Sequence, residues 1–113
     1  MNFSKEIKSN RLILSITGDL IGEDNGTQLI VAANEAIEHK VLLCVIDITK
    51  LRYINSSGIG VLITILTKFR NKGGEVYLMK PSESVKKLLI ITKLNSIFQI
   101  IESEEESLTL SKK

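Results

Sequence analysis

Two short stretches of alternating apolar and polar residues open the chain, over 3–7 and 12–17, with the polar tetrapeptide Lys8-Ser9-Asn10-Arg11 between them. Period-two alternation puts one face of each stretch in a core, and Asn tolerates left-handed backbone, so the pattern predicts an antiparallel hairpin. Residues 18–25 follow as a loop rich in Gly and acidic side chains. From Asn25 the period becomes helical. Leu29, Ala32, Ala33, Ala36 and Ile37 share one stripe, Asn25 is placed to cap it with Gln28 three positions on, and His39-Lys40 suits its negative end. Residues 41–48 are almost wholly apolar and β-branched, as expected of a strand covered on both faces.

Tyr53-Ile54 leads into Asn55-Ser56-Ser57-Gly58, a cluster of residue types favoured at helix starts. A long helix is predicted from there to Asn71-Lys72, stopped by Gly73-Gly74. Ile59, Leu62, Ile63, Leu66 and Phe69 form its core-facing stripe. That leaves Val61 and Ile65 on another side, either as an apolar docking patch near Ser56 or as the mark of a deeply buried helix. Residues 75–80 predict a further strand, Pro81-Ser82 opens a third helix through Thr92, and 97–101 make a last short strand. Residues 102–113 fit either a terminal helix with an acidic first turn or a frayed end. The order is β-β-α-β-α-β-α-β-α: a single α/β domain over 1–113, with a mixed, mostly parallel sheet, an N-terminal antiparallel hairpin and helices packed against it.

Size and composition agree with one folded domain. The chain has 113 residues, 43% of them apolar and 25% charged, which suffices to close a core. A net charge of +2, evenly spread, and few aromatic residues argue against direct nucleic-acid binding. Cys44 is the one cysteine, so no internal disulfide is possible, and no Cys/His cluster has metal-ligand spacing. The first residues lack the basic-then-apolar pattern of a signal peptide, and no apolar run is long enough to span a bilayer. The expectation is a cytoplasmic protein without membrane insertion, cofactor or metal.

Catalysis finds little support. His39 is the only histidine, and neither Ser56 nor Ser57 lies in a Gly-x-Ser-x-Gly elbow. Gly58-Ile59-Gly60 lacks the third glycine or Gly-Lys-Ser/Thr of a nucleotide loop. Asp47 stands near the end of a buried strand, where a phosphate acceptor would stand, but no acidic pair on the opening strands could hold its Mg²⁺; a turn-capping role fits better. Ser56 is different. A serine at a helix start is either a plain cap or a modification site, because a phosphate there meets unpaired N–H groups and the positive helix pole without breaking the fold.

The stretch Val45-Ile46-Asp47-Ile48 through Ile54-Asn55-Ser56-Ser57-Gly58-Ile59-Gly60-Val61-Leu62 resembles the STAS domain of bacterial anti-sigma factor antagonists. The likeness continues through Gly73-Gly74-Glu75-Val76 and Pro81-Ser82-Glu83-Ser84-Val85 to Thr92-Lys93-Leu94-Asn95-Ser96-Ile97-Phe98, nearly the whole chain. It implies a protein that binds an anti-sigma factor serine kinase and frees a sigma factor. Phosphorylation of Ser56 would switch it off and a serine phosphatase would restore it. It further implies a docking surface of Asn55, Ser56, Ser57, Gly58, Ile59 and the Gly18-Asp19-Leu20 loop, to which the Val61 and Ile65 patch would add. Three departures stand out: Asn55 where the family usually has Asp, Ile21 for a common acidic residue, and Lys93 for a common Gly. Asn55 also motivates the alternative of a constitutive STAS accessory subunit of a membrane lipid transporter.

Overall fold

The computed structural model describes residues 2–21 and 23–103, with backbone alone for 23–25. The hairpin forms as its pattern requires: β1 (Asn2–Lys8) pairs antiparallel with β2 (Arg11–Leu20). Ser9 and Asn10 turn between them at φ 52° and 62°, the two left-handed residues that match a hairpin's twist. Then come α1 (Glu23–Glu38), β3 (Leu43–Ile54), α2 (Ser56–Asn71), β4 (Glu75–Met79), α3 (Glu83–Ile91), a 3-10 turn (Leu94–Ser96) and β5 (Gln99–Ile101). The sheet order is β1-β2-β3-β4-β5, antiparallel between the first two and parallel elsewhere, so the expected mixed sheet is present.

The apolar stripes of all three helices join one main core with Leu12, Leu14, Ile16, Cys44, Ile46, Ile48, Val76 and Leu78 of the strands. Ile13, Val45, Tyr77, Met79 and Ile101 point to the other side of the sheet as a smaller buried cluster. Strand alternation explains this: the central strands read as unbroken apolar runs because both faces are covered. Cys44 is fully buried, and that burial pushes its thiol pKa far up.

Several expected boundaries move. β2 does not end at Thr17 but continues through two register shifts to Leu20, so residues 18–20 are strand, paired Gly18↔Leu51, Asp19↔Tyr53 and Leu20↔Ile54. β3 begins at Leu43, leaving Val41 before it, and runs on to Ile54; the long partner in β2 keeps its backbone groups paired beyond Ile48. α1 starts at Glu23, putting Asn25 inside the first turn instead of at its cap. β4 stops at Met79 because Lys80 turns left-handed at φ 52°. α3 is capped by Ser82, whose Oγ accepts from Val85 N–H at 3.4 Å. It closes at Thr92, as its pattern predicts, with Lys93 left-handed at φ 62°, the conformation a glycine would take. Residues 97–98 close the 3-10 turn, so the last strand starts only at Gln99. The tail over 104–113 lies outside the described residues.

A cluster at the start of the second helix

Parallel strands place every helix start at their carboxyl ends, and α2 starts beside the ends of β2 and β3. Asn55 is the joint. Its backbone N–H donates to Leu20 O at 3.2 Å, its Nδ2 donates to Ile21 O at 2.9 Å, and its Oδ1 accepts from Gly58 N–H at 2.9 Å. One side chain therefore caps α2 and holds the chain leaving β2. Asparagine can do both; aspartate could cap but has no N–H for the Ile21 carbonyl.

Ser56 and Ser57 occupy the first turn and are exposed, with no acidic residue in that turn. The unpaired N–H groups and the dipole make this end electropositive. Gly58 is buried: a Cβ there would collide with the carbonyl of Leu20 and lie 2.8 Å from Ile54 Cγ1. The helix start can sit this close to β2 only because position 58 lacks a side chain. Ile59 is half-buried against the core.

Of the other expected surface residues, Asp19 is partly exposed near the carboxyl end of β2. Arg52 grips it in a fork, Nε to Oδ1 at 3.0 Å and Nη2 to Oδ2 at 2.9 Å. The guanidinium holds the Asp19 carboxyl below its ordinary range, and Asp19 raises Arg52 in turn. Leu20, by contrast, is fully buried beneath Gly58, because strand alternation turns its side chain inward; only its carbonyl serves the site. Ile65 is fully buried too, and Val61 packs on Gly26 of α1. The sequence stripe was out of phase because α2 lies against both α1 and the sheet, giving it two covered sides. Ile63, expected in the core, is the residue that faces out, at 37% exposure. Exposed apolar side chains near the helix start are instead Ile21, just past the end of β2, and Tyr53, next to last in β3, 50% and 48% exposed. Their signal in the sequence was weak: single apolar residues at strand ends look like core.

Asp47 is engaged locally, its Oδ1 accepting from the Thr49 N–H at 3.0 Å and the Thr49 hydroxyl at 2.6 Å. It lies within β3, not at its end, and lines a cleft of about 470 Å³ with Ser15, Thr17 and Lys50. His39 Nδ1 lies 2.8 Å from Glu35 O at the end of α1, a terminal contact far in sequence from Ser56. Among the described residues no group of three His, Cys, Asp or Glu side chains could hold a metal ion, and no helix is long and apolar enough to cross a membrane.

A family model described as STAS domain matches residues 2–107. A protein of Thermotoga neapolitana, named as a presumed anti-sigma factor antagonist and homologue of TM1081, is 34% identical over 70 residues, 62% of this chain and 59% of that one. The match therefore spans less than two thirds of that relative. The crystal structure of a presumed anti-sigma factor antagonist from Thermotoga maritima superposes with a TM-score of 0.85 at 21% identity, covering 98% of this chain and 95% of the other. The unphosphorylated anti-sigma factor antagonist SpoIIAA gives 0.82 at 20% identity over 98% and 96%. The phosphorylated Bacillus SpoIIAA gives 0.74 at 18% over 98% and 100%. At these identities the structures establish the fold.

Proposed function

Because the chain belongs to the STAS domain family, we propose that it acts as an anti-sigma factor antagonist, docking through the start of α2 and switched by phosphorylation of Ser56. The observation that carries this reading is an exposed serine in the first turn of a helix whose cap and glycine are fixed by β2. A phosphate on Ser56 would add roughly −2 charge while touching no core residue. Association would change and the fold would not. Asp19, Ile21, Tyr53, Asn55, Ser56, Ser57 and the exposed edge of Ile59 make the contact surface, and the chain performs no chemistry of its own. The nucleotide belongs to the partner, an anti-sigma factor with serine kinase activity, and a serine phosphatase reverses the mark. The names of the relatives support this reading, as does a structural neighbour known in both phosphorylation states.

The test is incubation of the purified chain with a kinase-type anti-sigma factor from the same genome and ATP, followed by mass spectrometry and a binding measurement. Phosphate on Ser56, and binding weakened by Ser56→Asp at least tenfold, is the expected outcome. An unmodified Ser56 together with binding indifferent to Ser56→Asp defeats the proposal. One observation favours a second reading, a constitutive subunit of a membrane lipid transporter: the Asn55 amide fixes the β2 exit without any added charge. Stable co-purification with transporter subunits regardless of Ser56→Asp would select it.

A further inference from the structure

The end of the domain opposite Ser56 is built by the three helix-to-strand turns, and each carries a lysine: Lys40 after α1, Lys72 after α2, Lys93 after α3. Glu75 N–H to Leu42 O at 3.0 Å and Arg70 Nη2 to Ile97 O at 2.7 Å tie these turns into one surface. Lys40 and Lys93 both sit at φ 62°. Left-handed backbone favours glycine or asparagine, so lysine stands at both positions against local conformational preference. On the adjoining helix α3, Ile90 and Ile91 are 62% and 75% exposed, the two most exposed large apolar side chains described. Lys87 lies three and four positions before them, on the same helix face.

Charge on this surface is one-sided. Glu75 is paired with Arg70 at 3.0 Å, and Lys86 with Glu83 at 3.8 Å further up α3. Among the described residues that line the shallow hollow beside Lys40 and Lys72, floored by Ile37 and Leu42, Glu38 is the one carboxylate. We propose that this end docks on an anionic lipid bilayer, with Ile90 and Ile91 entering the headgroup boundary and Lys40, Lys72, Lys87 and Lys93 facing the phosphates. Protruding isoleucines on an end of the domain that also carries these lysines suit a fluid apolar layer under a negative surface. A second copy of the chain fits poorly, because a two-fold contact through this face would set lysine against lysine. A nucleic acid would find no exposed aromatic side chain here on which to stack. Docking in this pose leaves the Ser56 end facing solvent, so the inference stands independently of the proposed function.

The full chain is sedimented with large unilamellar vesicles of 30 mol% phosphatidylglycerol in phosphatidylcholine, and with pure phosphatidylcholine. Partition onto the anionic vesicles should exceed that onto the neutral ones by about tenfold or more at low salt, and vanish at high salt as the Debye length contracts to a few ångströms. Lys40→Gly and Lys93→Gly remove charge while relaxing the backbone, so lost binding cannot be blamed on misfolding. Each should lower the partition coefficient about fivefold, equivalent to ~1 kcal/mol per cation near such a surface. Ile90→Ser with Ile91→Ser should lower it about tenfold at unchanged thermal stability. Equal partition onto both vesicles overturns the proposal, as does binding insensitive to these variants. So does a concentration-dependent dimer, abolished by the isoleucine pair, in a protein that ignores vesicles.

Discussion

Asn55 offers the sharpest measurement, because one side chain makes two bonds that different substitutions separate. Asn55→Ala removes both: the cap to Gly58 N–H at 2.9 Å and the donation to Ile21 O at 2.9 Å. Loss of an N-cap costs about 1 kcal/mol. The second hydrogen bond contributes about 1 kcal/mol net, with no further desolvation penalty because Ile21 is half-exposed and water can take over its carbonyl. The sum is ~2 kcal/mol, which at this chain length lowers Tm by roughly 8 to 10 °C. Asn55→Asp keeps the cap and gains about 0.5 kcal/mol from the helix dipole. It forfeits the Ile21 bond and places a carboxylate against a carbonyl oxygen, so it should fall between, about 0.5 to 1 kcal/mol below the parent. Thermal unfolding by circular dichroism at pH 7 gives the ranking. Amide hydrogen exchange gives the location: Gly58 N–H should lose protection in Asn55→Ala and retain it in Asn55→Asp. An Asn55→Ala protein melting within a degree of the parent, with Gly58 still protected, would refute the reasoning.

Three further outcomes follow from the same geometry. Gly58→Ala must displace the Leu20 carbonyl or the helix start and should destabilise by about 1 to 3 kcal/mol, whereas Gly60→Ala, with nothing within 4 Å of its Cβ, should stabilise by about 0.5 to 1 kcal/mol; urea unfolding of the pair decides. Ile65→Ala should cost about 2 to 4 kcal/mol as a core cavity while Ile63→Ser costs under ~0.5 kcal/mol, and similar losses at both would mean that α2 is rotated from the position described. Asp19 titrates below its ordinary value because Arg52 grips it, so this fork's contribution is complete above the normal carboxylate range and fades as pH falls through the lowered folded value. An NMR titration should show the Asp19 midpoint moving back up in Arg52→Gln, and an unmoved midpoint would show that the fork does not persist in solution.

The order of elements was legible because period-two and helical spacing are local properties. The hairpin, the cap at Ser82 and the helix start at Asn55-Ser56 all appear where short-range chemistry puts them. The motif around Ser56 was legible for the same reason: cap, hydroxyl and glycine are neighbours in sequence. Strand lengths were not, since Gly18-Asp19-Leu20 look like a loop until β3 supplies partners for their backbone groups. Nor was the exposed side of α2. Val61 and Ile65 look outward on a helix packed against one surface, but α1 and the sheet cover two, and only assembly of those elements turned Ile63 to solvent and Ile65 inward. The sequence by itself therefore determined which segments are strands and helices and which serine stands at a helix start. Tertiary structure decided which side chains surround that serine, because burial depends on what packs from a distance along the chain, and no local pattern encodes a neighbour thirty residues away.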